Sequence, residues 1–272
     1  MFSPYYAFAR RRGGALADPE NHCAINIALY GPGGRWAMTE RGRRSMSRGP
    51  DRLVVGPSDI AWDGRRLTIR FDEVCAPLPK RLRGVVRVTP GLLMAEAFAI
   101  DGEGRHCWRP ISPFARIEVE CESPALRWTG DGYFDCNDGD EPLEAAFARW
   151  SWASARTESG AKILYDMELR RGGPLSLALA VSREGAIEPF SPPARKSLKK
   201  PFWRMERPVR CDDGSAIERV ATLEDSPFYA RSRVATRLCG EDVTLMHESL
   251  SLDRFASPVV QAMLPFRMPR RA

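Results

Sequence analysis

Two pairs of residues spaced i, i+2 join a titratable side chain to an aromatic ring: Tyr133 with Asp135, and His106 with Trp108. Gly130-Asp131-Gly132 reads as a turn just before the first pair. Tyr133 and Asp135 would leave such a turn on one face of an extended strand, because strand side chains alternate with period two. A carboxyl beside an aromatic ring in an apolar cavity is an acid whose pKa rises. Both pairs facing one cavity would make a proton donor lined by π-faces. Spacing alone also admits a plainer role for each, and favours it. Asp135 then caps the turn Cys136-Asn137-Asp138-Gly139, a common task for aspartate, while His106 is a satisfied histidine near a turn and Trp108 a core residue. His22 and His247 lie in strand-like runs and read as structural.

Other chemistries lack their signatures. The acidic run Asp135 to Glu141 does not have the D-x-[DN]-x-[DN]-G order of a calcium loop or its glutamate at the twelfth position, so no metal site is assigned. There is no G-x-S-x-G, no P-loop and no dinucleotide fingerprint. Cys23, Cys75, Cys107, Cys121, Cys136, Cys211 and Cys239 are odd in number and never spaced C-x-x-C, which argues against structural zinc and for reduced thiols in the cytoplasm. The net charge is +6, with basic clusters at Arg10-Arg11-Arg12, Arg41 to Arg44, Arg195 to Lys200 and Arg270-Arg271. Such clusters serve as solvated surface or meet an anionic membrane. Because 36 Arg stand against 5 Lys, a coding bias inflates the count. No recognition-helix, zinc-finger or RNA-binding signature accompanies it, so nucleic acid is not an expected partner. The longest apolar run, Gly91 to Ile100, carries Glu96 and is half the roughly 20 residues a spanning helix needs. The N-terminus has no apolar h-region and does not read as a secretory signal.

The elements that must position the two pairs read as strands. The chain is long enough for one large or two modest domains, and its 22 Gly and 22 Pro punctuate it every few residues, as suits many short strands. Leu67, Ile69 and Phe71 alternate with polar neighbours; so do Ile117, Val119 and Cys121, then Ile163 to Leu169 and Leu175 to Val181. Arg170-Arg171-Gly172-Gly173 turns between the last two. The aromatic-rich Met1 to Ala9 suggests a chain that begins partway into a sheet, and Pro110 with Pro113 marks a break after Trp108. Ala146 to Ala155 reads as a strand, and Ser257-Pro258 opens a short helix. Ser123-Pro124 is the expected boundary between halves 1–123 and 124–272. Ser3-Pro4-Tyr5, Ser112-Pro113-Phe114 and Ser226-Pro227-Phe228 recur at intervals of domain size, a hint of duplication. The sum is an all-β chain of about fifteen strands, for which closed antiparallel barrels are the usual way to remove sheet edges.

With those residues in place, the chain resembles the carotenoid 1,2-hydratase (hydroxyneurosporene synthase) family. The resemblance is carried by Phe2 to Gly13, His22 to Arg41, Tyr133 to Ala155, Ser226 to Arg233 and Gly240 to Leu252, and extends over essentially the whole chain. It implies a cofactor-free enzyme that adds water to the terminal C-1,2 double bond of acyclic carotenoids such as neurosporene and lycopene. It implies two lipocalin-like antiparallel β-barrels in tandem, and basic surface near a barrel mouth would hold such a protein peripherally at the inner or intracytoplasmic membrane, where carotenoids reside. The family's H-x-W element falls on His106 and Trp108 and its Y-x-D element on Tyr133 and Asp135, which turns both pairs from the plain role to the catalytic one. The resemblance also implies an aromatic-rich strand segment ahead of F-S-P-Y-Y; without it the first barrel is expected to be short of edge strands. The rival expectations are a non-catalytic isoprenoid carrier of lipocalin type, and a cation-forming cyclase that excludes water.

Overall fold

The computed structural model describes residues 3–271. Its strands pair almost wholly antiparallel. They fall into two compact units, one of Met1–Gly91, Ala115–Tyr133 and Gln261–Ala272, the other of Leu92–Phe114 and Phe134–Val260.

The first unit opens with a helix where a sheet was expected. α1 (Pro4–Arg12) is capped by the Ser3 hydroxyl, which accepts from the Tyr6 amide, and Pro4 supplies the preset φ of the first turn. Arg10, Arg11 and Arg12 sit at its C-terminal end, where cations favour the helix dipole, and Gly13 takes φ +71° to end it. Phe2, expected in the same stretch, lies outside the described residues. β1 (Asn26–Leu29) and β2 (Arg35–Met38) form a hairpin, followed by the short β3 (Glu40–Arg41), which pairs with Arg270–Arg271. A meander then runs through β4 (Met46–Arg48), β5 (Arg52–Val55), β6 (Ser58–Trp62), β7 (Leu67–Val74) and β8 (Arg81–Thr89). Phe71, Leu82 and Ala37 are the centre of its core. Among its buried groups, Arg41 forks onto Glu73 at 2.9 and 3.0 Å, and the Ser58 hydroxyl donates to the same carboxylate at 2.7 Å.

After the two-residue β9 (Phe98–Ala99) comes a long hairpin, β10 (His106–Ser123) and β11 (Leu126–Gly139). The break expected at Pro110 and Pro113 does not occur. β10 pairs with β9 only at Cys107 and Trp108, and with β8 only from Arg116 onward. Both prolines fall in the gap between those ladders, where a missing N–H disrupts neither of them. Ser123 and Pro124, the expected boundary, lie at the tip of this hairpin, within the first unit.

In the second unit β12 (Phe147–Arg156), β13 (Gly160–Leu169), β14 (Pro174–Ser182) and β15 (Ile187–Pro189) form one meander. A ribbon of β16 (Arg195–Ser197) and β17 (Pro208–Arg210) separates it from a second meander, β18 (Arg219–Asp225), β19 (Tyr229–Leu238) and β20 (Glu241–Ser251). The two meanders join edge to edge along β12 and β20 into one seven-stranded sheet. Alternation gives this sheet two unlike faces. One carries Ala153, Ala155, Leu164, Val234 and Leu245, packed with Leu198 and Val209 from around the ribbon. The other carries Trp150, Trp152, Tyr165 and Glu248. Among the described residues neither large sheet closes on itself: the first ends at β4 and β11, the second at β15 and β18. The Ser-Pro repeat is no duplication of structure either. Its three copies cap a helix, run inside β10 and bend the chain ahead of β19.

Candidate active site

The near end of the β10–β11 hairpin holds three of the four residues singled out above. His106 opens β10 and Trp108 follows two residues later on the same face; both are essentially fully buried. Asp135 lies on β11, half-buried, and Trp108 donates its indole N–H to the Asp135 carboxyl (Nε1 to Oδ2, 2.8 Å). That bond is the direct link between the two sequence pairs. Tyr133 is on β11 two residues before Asp135 and also half-buried.

The rings around Trp108 come from the open face of the seven-stranded sheet. Tyr165 meets Trp108 edge to face, with centroids 5.7 Å apart and planes at 86°; Trp150 meets Tyr165 in the same way at 6.0 Å and 84°. Phe98 of β9 covers Trp108 from another side at 5.7 Å. Phe147 joins through a register shift between Phe147 and Arg149. Strict alternation would send Phe147 and Trp150 to opposite faces, and the bulge brings them edge to face at 5.4 Å. Such T-shaped contacts contribute about 0.5–1.5 kcal/mol each beyond the area they bury. Burial pushes the Tyr165 phenol well above its ordinary value, so it remains a neutral O–H.

His106 packs on Phe147 at 5.0 Å, and its Nε2 points toward Glu141 at 3.9 Å, too far for a hydrogen bond. A β-carbon at Gly139 would stand 2.2 Å from His106 Nδ1, so the absence of a side chain there makes room for the imidazole. Asp101, His106 and Glu141 bring one potential ligand atom each to within 4.8 Å of one another, and among the described residues this is the one group with metal-ligand composition. Two guanidiniums already neutralise Glu141, Arg105 at 3.1 Å and Arg171 at 3.2 Å, which disfavours a cation beside it.

The sequence pattern did not single out Tyr165, Phe147, Glu248 or Arg231, the last of which pairs with Glu248. A signal existed for Tyr165, which occupies the apolar phase of Ile163, Tyr165, Met167 and Leu169. Glu248 interrupts the phase Met246, Glu248, Leu250, a carboxylate where alternation calls for an apolar residue. Taken together, the site offers a carboxyl held by a neutral donor among aromatic rings, and a second, ion-paired carboxylate on the facing sheet. It is suited to delivering a proton and then shielding a carbocation.

Comparison with known proteins bears on that chemistry. The family model described as carotenoid hydratase CrtC matches residues 1–272. An acyclic carotenoid 1,2-hydratase from Thiocapsa roseopersicina is 56% identical over 272 residues, covering 99% of this chain and 67% of the relative. One from Rubrivivax gelatinosus is 48% identical over 274 residues, covering 100% and 68%. The chain thus spans about two-thirds of the length of both. Among solved structures, a Nitrosomonas europaea protein described as AttH superposes with a TM-score of 0.58 at 12% identity, over 80% of this chain and 76% of that one, a likeness of fold alone.

Proposed function

The chain belongs to the carotenoid hydratase CrtC family, and from that premise we propose that it adds water across the C-1,2 double bond of acyclic carotenoids, without a cofactor. The observation that carries the mechanism is the Trp108–Asp135 hydrogen bond inside a cluster of aromatic rings. An isolated trisubstituted alkene is hydrated by protonation at C-2, which leaves a tertiary cation at C-1 that water captures. Asp135 enters the reaction protonated, as carboxyls in apolar surroundings do, and gives its proton to C-2. Trp108 fixes the orientation of the carboxyl, and His106, behind it on the same face of β10, relays a proton back to it. Tyr133 and the indole face shield the cation, each contributing on the order of 2 kcal/mol once water is excluded.

On the same premise the two antiparallel sheets are two lipocalin-like halves in tandem, with the acid on β11, an edge strand of the first sheet; their up-and-down strand order supports this. The protein binds peripherally at an anionic membrane surface, where its substrate dissolves. The basic cluster Arg10–Arg12 on α1 favours such contact, and among the described residues no helix is long and apolar enough to cross a membrane.

The test is conversion of neurosporene or lycopene in detergent or liposomes, read by product mass. The wild-type protein should give a product heavier by one water, and Asp135→Asn should give about 10³-fold less while its circular dichroism stays native. Stoichiometric binding without product would make the protein a carrier, and a product of unchanged mass would make it a cyclase.

A further inference from the structure

The reaction proposed above needs two proton transfers at opposite ends of its course, and Asp135 serves only the first. The water that captures the cation must lose a proton, and the seven-stranded sheet holds a group placed for that. Its register aligns one row of side chains across five strands: Leu177 of β14, Tyr165 of β13, Trp152 of β12, Glu248 of β20 and Arg231 of β19. Residues directly opposite in a ladder point to the same face. Tyr165 meets Trp108 edge to face, so this row lies on the side of the sheet that meets the hairpin bearing Asp135.

The two carboxyls have unlike surroundings. Asp135 meets a neutral indole N–H and aromatic rings. Glu248 meets the Arg231 guanidinium at 2.5 Å and keeps about a fifth of its side chain open. Two carboxyls in unlike surroundings are the arrangement by which acids of the same kind take different roles in one reaction. Glu248 is also the acid among the half-exposed positions of this face, Trp150, Trp152 and Met246, where a water molecule can enter beside apolar substrate.

We propose that Glu248, held by Arg231, binds the attacking water and accepts its proton as the water oxygen bonds to C-1. The inference rests on the hydratase reading and adds the base to it. The electron count closes: the alkene π pair takes the Asp135 proton to form the new C–H bond, and a water lone pair forms the C–O bond at the cation. The O–H pair of that water stays on oxygen as its proton passes to Glu248. Return of that proton to Asp135 through solvent and the His106 relay resets the site, so each cycle consumes one water.

Protonation and water capture can be scored separately in D2O. A cation that forms and loses a proton again returns alkene carrying deuterium, whereas a captured cation gives alcohol. With neurosporene in liposomes, Glu248→Gln should lower alcohol formation by about 10²-fold while deuterium still washes into recovered alkene at the wild-type rate or faster. Glu248→Asp should recover part of the alcohol. Alcohol at the wild-type rate in Glu248→Gln would overturn the proposal. So would equal loss of alcohol and exchange in a variant with native circular dichroism, since that is the mark of a merely structural residue. If Glu248→Gln does not fold, the same two outcomes in Glu248→Asp decide: reduced alcohol with retained exchange supports the base, and any other result refutes it. Asp135→Asn separates the two claims. If that variant retains exchange, the acid assignment fails whatever Glu248 does; if it loses both signals while Glu248→Gln keeps both, only the base fails.

Discussion

Trp108 donates its one N–H to Asp135 and presents its edge and face to Tyr165 and Phe98. Those two tasks can be parted. Trp108→Phe keeps a ring and removes the donor, and a hydrogen bond of this kind contributes about 1–3 kcal/mol when its loss leaves a partly buried partner. The hydration rate should therefore fall roughly 10- to 100-fold with little change in the KM for carotenoid. Trp108→Leu should raise KM as well, because the aromatic packing goes with the ring. If both variants behave alike, the N–H has no separate role. His106 takes no part in that hydrogen bond; it stands behind it as the relay. It is buried against Phe147, with Glu141 beyond hydrogen-bond reach on one side and the bare Gly139 backbone on the other.

At the scale of elements, the hairpin and the open sheet face make the site, and Gly139 tests how tightly they hold it. A methyl at that position would overlap His106 Nδ1, on a ring that is almost fully buried. Gly139→Ala should lower stability by about 1–3 kcal/mol and depress hydration. Gly102→Ala is the control: a β-carbon there meets nothing within 4 Å, and both stability and activity should be unchanged. Equal melting temperatures for the two variants would show that the imidazole is not confined. Much of this framework was legible in the sequence. Period-two alternation located β7, β13 and β14, and the glycine pair after Arg171 lies in the turn between the last two. α1 was not foreseen, although Ser3-Pro4 is the same cap that correctly marked the helix Pro258–Met263; the aromatic content of the stretch outweighed the signal. The unbroken course of β10 past Pro110 and Pro113 depends on which strands lie beside it, a non-local fact. Glu248 was missed for the same reason, since its meaning lies in a row of residues drawn from five strands.

For the molecule as a whole, the far face of the seven-stranded sheet links stability to pH through His247. Its Nε2–H donates to the Pro208 carbonyl at 2.8 Å. Burial pushes its pKa down to about 4, with the Arg207 charge adding to the fall and the Pro208 bond opposing it. The unfolded histidine titrates near 6.5. Between those values the unfolded chain takes up a proton that the native one refuses, so this group's contribution is fully present above pH 6.5 and is lost as pH falls toward 4. The loss amounts to roughly 3 kcal/mol. Urea midpoints for the wild type should therefore drop more between pH 7.5 and 4.5 than those of His247→Asn; equal drops would show that His247 does not carry the effect. The central claim concerns a single proton on the other face. It is tested most directly by the infrared difference spectrum of wild type minus Asp135→Asn at neutral pH, without substrate. The C=O stretch of an un-ionised carboxylic acid, shifted in D2O and absent from the variant, is expected. A difference spectrum containing only carboxylate bands would mean that Asp135 is already ionised and cannot be the acid.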